Sequence, residues 1–191
     1  MTKFVVLSLS LALLCLGGCT SLRSETNSQP TPSFSLESYF AGETRAYGVF
    51  EDRSGKVLRT FTVVAIGTPT VDGFELDERF LWSDGEQQTR TWTFKRSTAG
   101  HYTGTAGDVD GMATLETEGN AMRLRYRLKL PYKGSTLTVR FDDWSHLVAD
   151  GVAINRADVS KFGLHLGRVT LTFIKPGQPA PKAEALKGAF K

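Results

Sequence analysis

Residues 122–130 read MRLRYRLKL, and the strict alternation in that run constrains the chain more than any other feature. Met122, Leu124, Tyr126, Leu128 and Leu130 share one face of an extended strand, while Arg123, Arg125, Arg127 and Lys129 share the other. The period of two recurs at 44–52, 57–66, 74–82, 88–96, 101–106, 112–118, 137–147, 152–159 and 167–175. Between these runs stand hairpin-like connectors: RSGK, SDGE, GDVDG, EGN, KGS and ADG. About eight to ten short strands joined in order by tight turns predict an all-β, antiparallel up-and-down barrel, since closure removes exposed edges. The architecture is lipocalin-like, with a two-sheet β-sandwich as the alternative. No long helical pattern interrupts it; SLESYF, 35–40, supplies at most one turn, placed across the barrel's open end.

The four-cation stripe reads best as a solvated outer face rather than a lipid-phosphate or nucleic-acid surface. Charge supports this. The chain holds 23 Lys and Arg against 20 Asp and Glu, too near balance to favour nucleic acid.

The first residues, MTKFVVLSLSLALLCLGGC, form an apolar run ending in two glycines and Cys19. The run is too short for a permanent span and reads as a signal peptide. Leu16, Gly17, Gly18 and Cys19 resemble the lipobox of bacterial lipoproteins, in which the cysteine becomes the acylated N-terminus. The expected organisation is a signal peptide at 1–18, a lipidated tether at 19–33, a β-barrel domain at 34–175 and a flexible tail at 176–191. Cleavage would also remove Cys15, so no disulfide could form within the mature chain. Acyl chains on Cys19 would make the membrane a partner, and Thr20, where lipoprotein sorting rules place aspartate for inner-membrane retention, favours the outer membrane.

The segments YFAGETRAYGVFEDRSGKVLRTFTV, YTGTAGDVDGMA, GNAMRLRYRLKLP and VRFDDWSHLVADGVAINRADVSKFGLHLGRVTLTF resemble the bacterial lipoproteins grouped as DUF3833. The likeness spans about residues 36–173. It implies a small barrel-shaped lipoprotein and a link to membrane lipid modification or envelope stress, with no assigned activity. The chain departs from the family pattern at Ser145 and His146, where an apolar and an aromatic residue are expected, so shared chemistry would not rest on either.

Alternation also sorts charged side chains by face. Glu78 falls with Phe74, Leu76, Phe80 and Trp82; Arg90 with Trp92 and Phe94; Asp143 and Ser145 with Val139, Phe141 and Leu147; Arg156 with Val152 and Ile154. Inside a barrel such charges must be paired, hydrated or bound to a ligand. One reading is a cavity in which Arg90 or Arg156, with Tyr126, holds the carboxylate or phosphate head of a lipid or fatty acid. The other is a filled interior with Arg paired to Glu78 or Asp143, and an arginine stacked on Trp92 or Trp144 at one end. On the second reading Asp143 and Arg156, on strands joined at ADG, meet as a charge pair with Trp144 covering the barrel's end.

Enzyme chemistry has little support. In FDDWSHL, 141–147, Ser145 and His146 point to opposite faces, so the histidine cannot activate the serine. His101, His146 and His165 lack metal-site spacing, and Asp108 and Asp110 of GDVDG suit a turn better than a calcium loop. No glycine motif for a cofactor phosphate is present. The expectation is a non-enzymatic, cofactor-free, outer-membrane lipoprotein that binds a lipid or other apolar molecule, with a structural or interaction module of the cell envelope as the alternative and an enzyme acting on modified lipids as a third reading.

Overall fold

The computed structural model describes residues 33–178. The expected signal peptide at 1–18, Cys19 with the expected tether up to residue 32, and residues 179–191 of the expected tail lie outside the described residues. A short helix, α1 (Leu36–Phe40), precedes ten strands: β1 (Gly42–Asp52), β2 (Val57–Pro69), β3 (Gly73–Trp82), β4 (Gln87–Thr98), β5 (His101–Thr105), β6 (Ala113–Glu118), β7 (Ala121–Tyr132), β8 (Ser135–Ala149), β9 (Val152–Lys161) and β10 (Leu164–Ile174). Each pairs antiparallel with the next in sequence, and β1 pairs with β10, so the sheet closes into an up-and-down barrel rather than a sandwich.

Every run of period two became a strand, because each has an apolar face to bury and a turn at its end. Gly55, Gly85, Gly134 and Gly151 sit at hairpin turns with φ of 84, 86, 75 and 68°, conformations that glycine adopts without strain. The Arg/Lys face of β7 points outward as expected. Arg123 pairs with Asp142, Arg125 with Glu116 and Arg127 with Asp110.

One end of the barrel is plugged. Ser35 caps α1 through its hydroxyl, and the helix buries Leu36, Tyr39 and Phe40, with Phe34 packed beneath them. The plug is fastened to the barrel wall at that end. The Phe34 N–H donates to Gly119 (2.8 Å), the Tyr39 hydroxyl to the carbonyls of Gly151 (3.2 Å) and Phe173 (3.1 Å), and the Tyr102 hydroxyl to Glu37 (2.7 Å). Burial disfavours the Glu37 charge, but hydrogen bonds from Arg96 and Tyr102 outweigh it and hold the pKa below the usual value.

β5 and β6 are short, and β5 pairs with β4 only from Thr93 onward. Loop 106–112 completes the wall above them. Val109, 5% exposed, forms a bridge to Leu128, and the backbones of Asp108 and Asp110 bond to Lys129 and Arg127. All the described strands feed one hydrophobic core cluster together with the plug, so residues 33–178 fold as a unit.

Candidate functional site

The interior is not filled. Between the plug and the opposite end lies a cavity of about 480 Å³, lined by Phe40, Phe94 and Leu115 at its floor, Trp92, Tyr126 and Phe141 at mid-height, and Arg59, Trp82, Gln88 and Leu130 at its mouth. Aromatic contacts stiffen the wall. Tyr126 stacks on Phe141 with centroids 4.9 Å apart and meets Trp92 edge-on at 5.2 Å. A shallower groove of about 580 Å³ crosses the outer surface over Gly48, lined by Tyr47, Thr62 and Leu81 among others, and none of its lining side chains is charged.

Four of the residues singled out from the sequence line the cavity: Glu78, Arg90, Tyr126 and Asp143. Arg90 is held by acids. Its Nε and Nη2 donate to both oxygens of Asp108 at 2.8–3.1 Å, its Nη1 lies 3.8 Å from Glu78, and Trp92 Nε1 donates to Glu78 at 3.2 Å. Burial opposes the Arg90 cation, yet the carboxylates of Asp108 and Glu78 more than offset it, so it stays charged. For Glu78 burial is the largest influence and raises the pKa, with Arg90 and Trp92 pulling the other way. Burial, with the Asp143 charge adding to it, keeps the Tyr126 hydroxyl protonated well above its ordinary range.

Asp143 has a different neighbourhood. The Asn155 amide donates to one of its oxygens and, at 2.8 Å, to Ser145 Oγ. Ser145 and Asn155 are 1% and 3% exposed, and the Asn155 carbonyl oxygen has no partner. What exposure Asp143 retains is to the cavity, and burial raises its pKa to about 7 against the Asn155 hydrogen bond.

Two expected site residues lie elsewhere. Arg156 is exposed on the outer face of β9, opposite Trp144, and the inward side of that strand is Ala153, Asn155, Ala157 and Val159. The cause is a bulge. β8 and β9 pair Ala149 with Val152 at the turn but Leu147 with Ala153, so Val148 is an extra residue that inverts the facing of β9. The charge pair between Asp143 and Arg156 therefore does not form. Trp144 also points outward, 4.8 Å beneath the Arg123 guanidinium and stacked beside His146, and does not cover the barrel's end. The arginine–tryptophan stack at the mouth is Arg59 over Trp82, 4.1 Å from the ring, with Arg59 also bonded to Asp84 and Glu86.

Sequence reasoning missed Asn155 and Arg59 in the cavity lining and Asp108 as the partner of Arg90. Asp108 looked like a turn residue, and nothing local reveals that its loop folds back onto β4. Asn155 had one signal, the small apolar residues Ala153 and Ala157 flanking it at period two.

Ser145 is inside the barrel and His146 outside, so these two do not form a nucleophile and base. Among the described residues no cluster of three or more His, Cys, Asp or Glu could hold a metal ion.

The model of the family described as "Protein of unknown function (DUF3833)" matches residues 13–175. The chain belongs to this family. No curated protein matches it. Among solved structures, the S-type phycobiliprotein lyase CPES from Guillardia theta aligns with a TM-score of 0.55 at 7% identity, over 76% of this chain and 95% of that one. The chain EF1p2_mFAP2b, solved bound to DFHBI, aligns with a TM-score of 0.41 at 9% identity, over 72% and 94% of the two chains. The chain thus has a closed, lipocalin-like barrel, and its likeness to the lyase is one of fold.

Proposed function

We propose that this DUF3833 barrel binds or carries a lipid or other hydrophobic small molecule in its interior, held at the outer membrane by acylated Cys19. The observation that carries the reading is the cavity of about 480 Å³, closed by α1 at one end and open at the other, apolar in most of its lining with a few convergent polar groups. A volume of this size weighs against the alternative of a filled barrel serving only as an interaction module. The action proposed is binding rather than catalysis. The lipobox and Thr20 support the anchoring, and the family resemblance supports a setting in membrane lipid modification or envelope stress.

Native mass spectrometry of residues 20–191, expressed in a bacterial host, tests the binding. An apolar adduct released by organic solvent is expected. Absence of any adduct, together with failure to bind the neutral dye N-phenyl-1-naphthylamine, would exclude it.

A further inference from the structure

The polar groups of the cavity specify the kind of head group a ligand would carry. This rests on the binding reading above. We infer that the cavity takes an amphipathic amine, an apolar chain ending in a protonated nitrogen, received by the carboxylate of Asp143 and the free carbonyl of Asn155.

Three observations lead there. First, the cations that an anionic head would need are already engaged. Arg90 lies between Asp108 and Glu78, and Arg59 between Asp84 and Glu86. A carboxylate or phosphate entering the barrel would compete with two resident acids at either arginine. Second, Asp143 is the one charged group of the lining with no ion pair among the described residues. An ammonium beside it would supply the missing opposite charge and a charge-assisted hydrogen bond. Third, the Asn155 carbonyl oxygen is an acceptor without a donor on a side chain 3% exposed that lines the cavity. Buried acceptors are rarely left so. An ammonium has three donors, enough for Asp143, Asn155 and one more neighbour.

The groups facing Asp143 agree with this choice. Tyr126 on β7 stands beside it as a neutral hydroxyl, Asn155 and Ala157 face it from β9, and Glu78 and Arg90 lie across the cavity on β3 and β4. Asp142 is its neighbour on the outer face, neutralised by Arg123. The unpartnered donors Trp82 Nε1 and Arg59 Nε belong to the stack at the mouth, away from this acid and amide pair.

The test compares one chain with three heads. Residues 20–191 are loaded with N-phenyl-1-naphthylamine, which is displaced by dodecylamine, dodecanol or dodecanoate near neutral pH. Dodecylamine is expected to displace the dye at a concentration roughly tenfold or more below the other two. That advantage should shrink to within about threefold in Asp143→Asn, and in the wild type it should weaken as pH falls from about 8 to about 5.5, where the alkylamine keeps its proton but Asp143 takes one up. Equal or tighter binding of dodecanoate overturns the inference while leaving the binding reading intact, as does an amine preference unchanged in Asp143→Asn. A wild-type amine advantage flat across that pH range overturns it even if the variant fails to fold. If the dye does not bind at all, the binding reading fails and this inference with it.

Discussion

Asn155 on β9 donates its side-chain amide to Asp143 on β8 and to Ser145 beside it, leaving its own carbonyl oxygen without a partner. An amide in place of a cation means that Asp143 is buried with a hydrogen bond but without charge compensation. Burial therefore governs its protonation, lifting the pKa from 3.8 to about 7. The folded state then binds a proton that the unfolded chain has already released. Its stability contribution is fully present below about pH 4 and is lost as pH rises through about 7. In Asp143→Asn this loss should vanish. Thermal unfolding of both forms from about pH 4 to about pH 8 is expected to show the variant gaining on the wild type as pH rises, by a few kcal/mol across the range. Parallel curves would mean that Asp143 is solvated and ionised throughout.

Arg90 is the other pole of the interior. Truncating it strands Glu78 inside the barrel and frees Asp108, so Arg90→Met is expected to destabilise by about 3 kcal/mol, in the lower part of the range for breaking a buried pair. Asp108→Asn should cost less, since Asp108 is the more exposed partner, with 27% of its side chain open against 10% for Arg90. The Arg90→Met deficit should ease in acid, where Glu78, whose pKa burial already raises, can take up a proton. Because Asp108 holds loop 106–112 to β4, its loss should also speed amide hydrogen exchange in that loop. A double-mutant cycle with thermal unfolding gives the coupling, and a value near zero would mean the pair is not formed in solution.

The number of strands, their order and the closure of the barrel were legible in the sequence because each depends on local information: a period of two, a turn, a need to cover edges. The facing of Glu78, Arg90, Tyr126 and Asp143 was legible for the same reason. Arg156 was not. Its facing depends on a single unpaired residue, Val148, and a two-residue turn without that bulge would have put Ile154 and Arg156 inside. Preference for the larger apolar set, Val152 and Ile154, over Ala153 and Ala157 compounded the inversion. The partnership of Arg90 with Asp108 was hidden for another reason, since it joins a strand to a loop whose path is set by the shortness of β5 and β6.

The plug depends on a close approach at Gly67, which pairs with Ala41 just after α1. A Cβ there would overlap the Phe40 carbonyl oxygen and the Phe74 ring, both fixed by burial. Gly67→Val should therefore lower stability by about 1–3 kcal/mol, the usual cost of overpacking. The loss should be local: amide exchange is expected to rise over residues 34–41 more than in β7 and β8. Uniform acceleration would show that the plug and the barrel open together.

The anchoring is tested at Cys19, which lies outside the described residues. Acylation of a lipobox cysteine takes place on its thiol, so Cys19→Ser removes the acceptor atom while leaving the apolar run and the barrel intact. Cells fed labelled palmitate should incorporate it into the wild-type chain and not into the variant, which should be either unprocessed or released as a soluble protein. Persistent labelling of Cys19→Ser would place the acyl group elsewhere, and Cys15, four residues upstream in the same run, would be the next thiol to examine. If Cys19 does carry the anchor, the neighbouring position should govern which membrane receives it. Thr20→Asp is then expected to move the protein from the outer-membrane to the inner-membrane fraction on density-gradient separation, with labelling unchanged. An unaltered distribution would separate the two questions, leaving the lipid anchor in place and removing Thr20 as the residue that directs it.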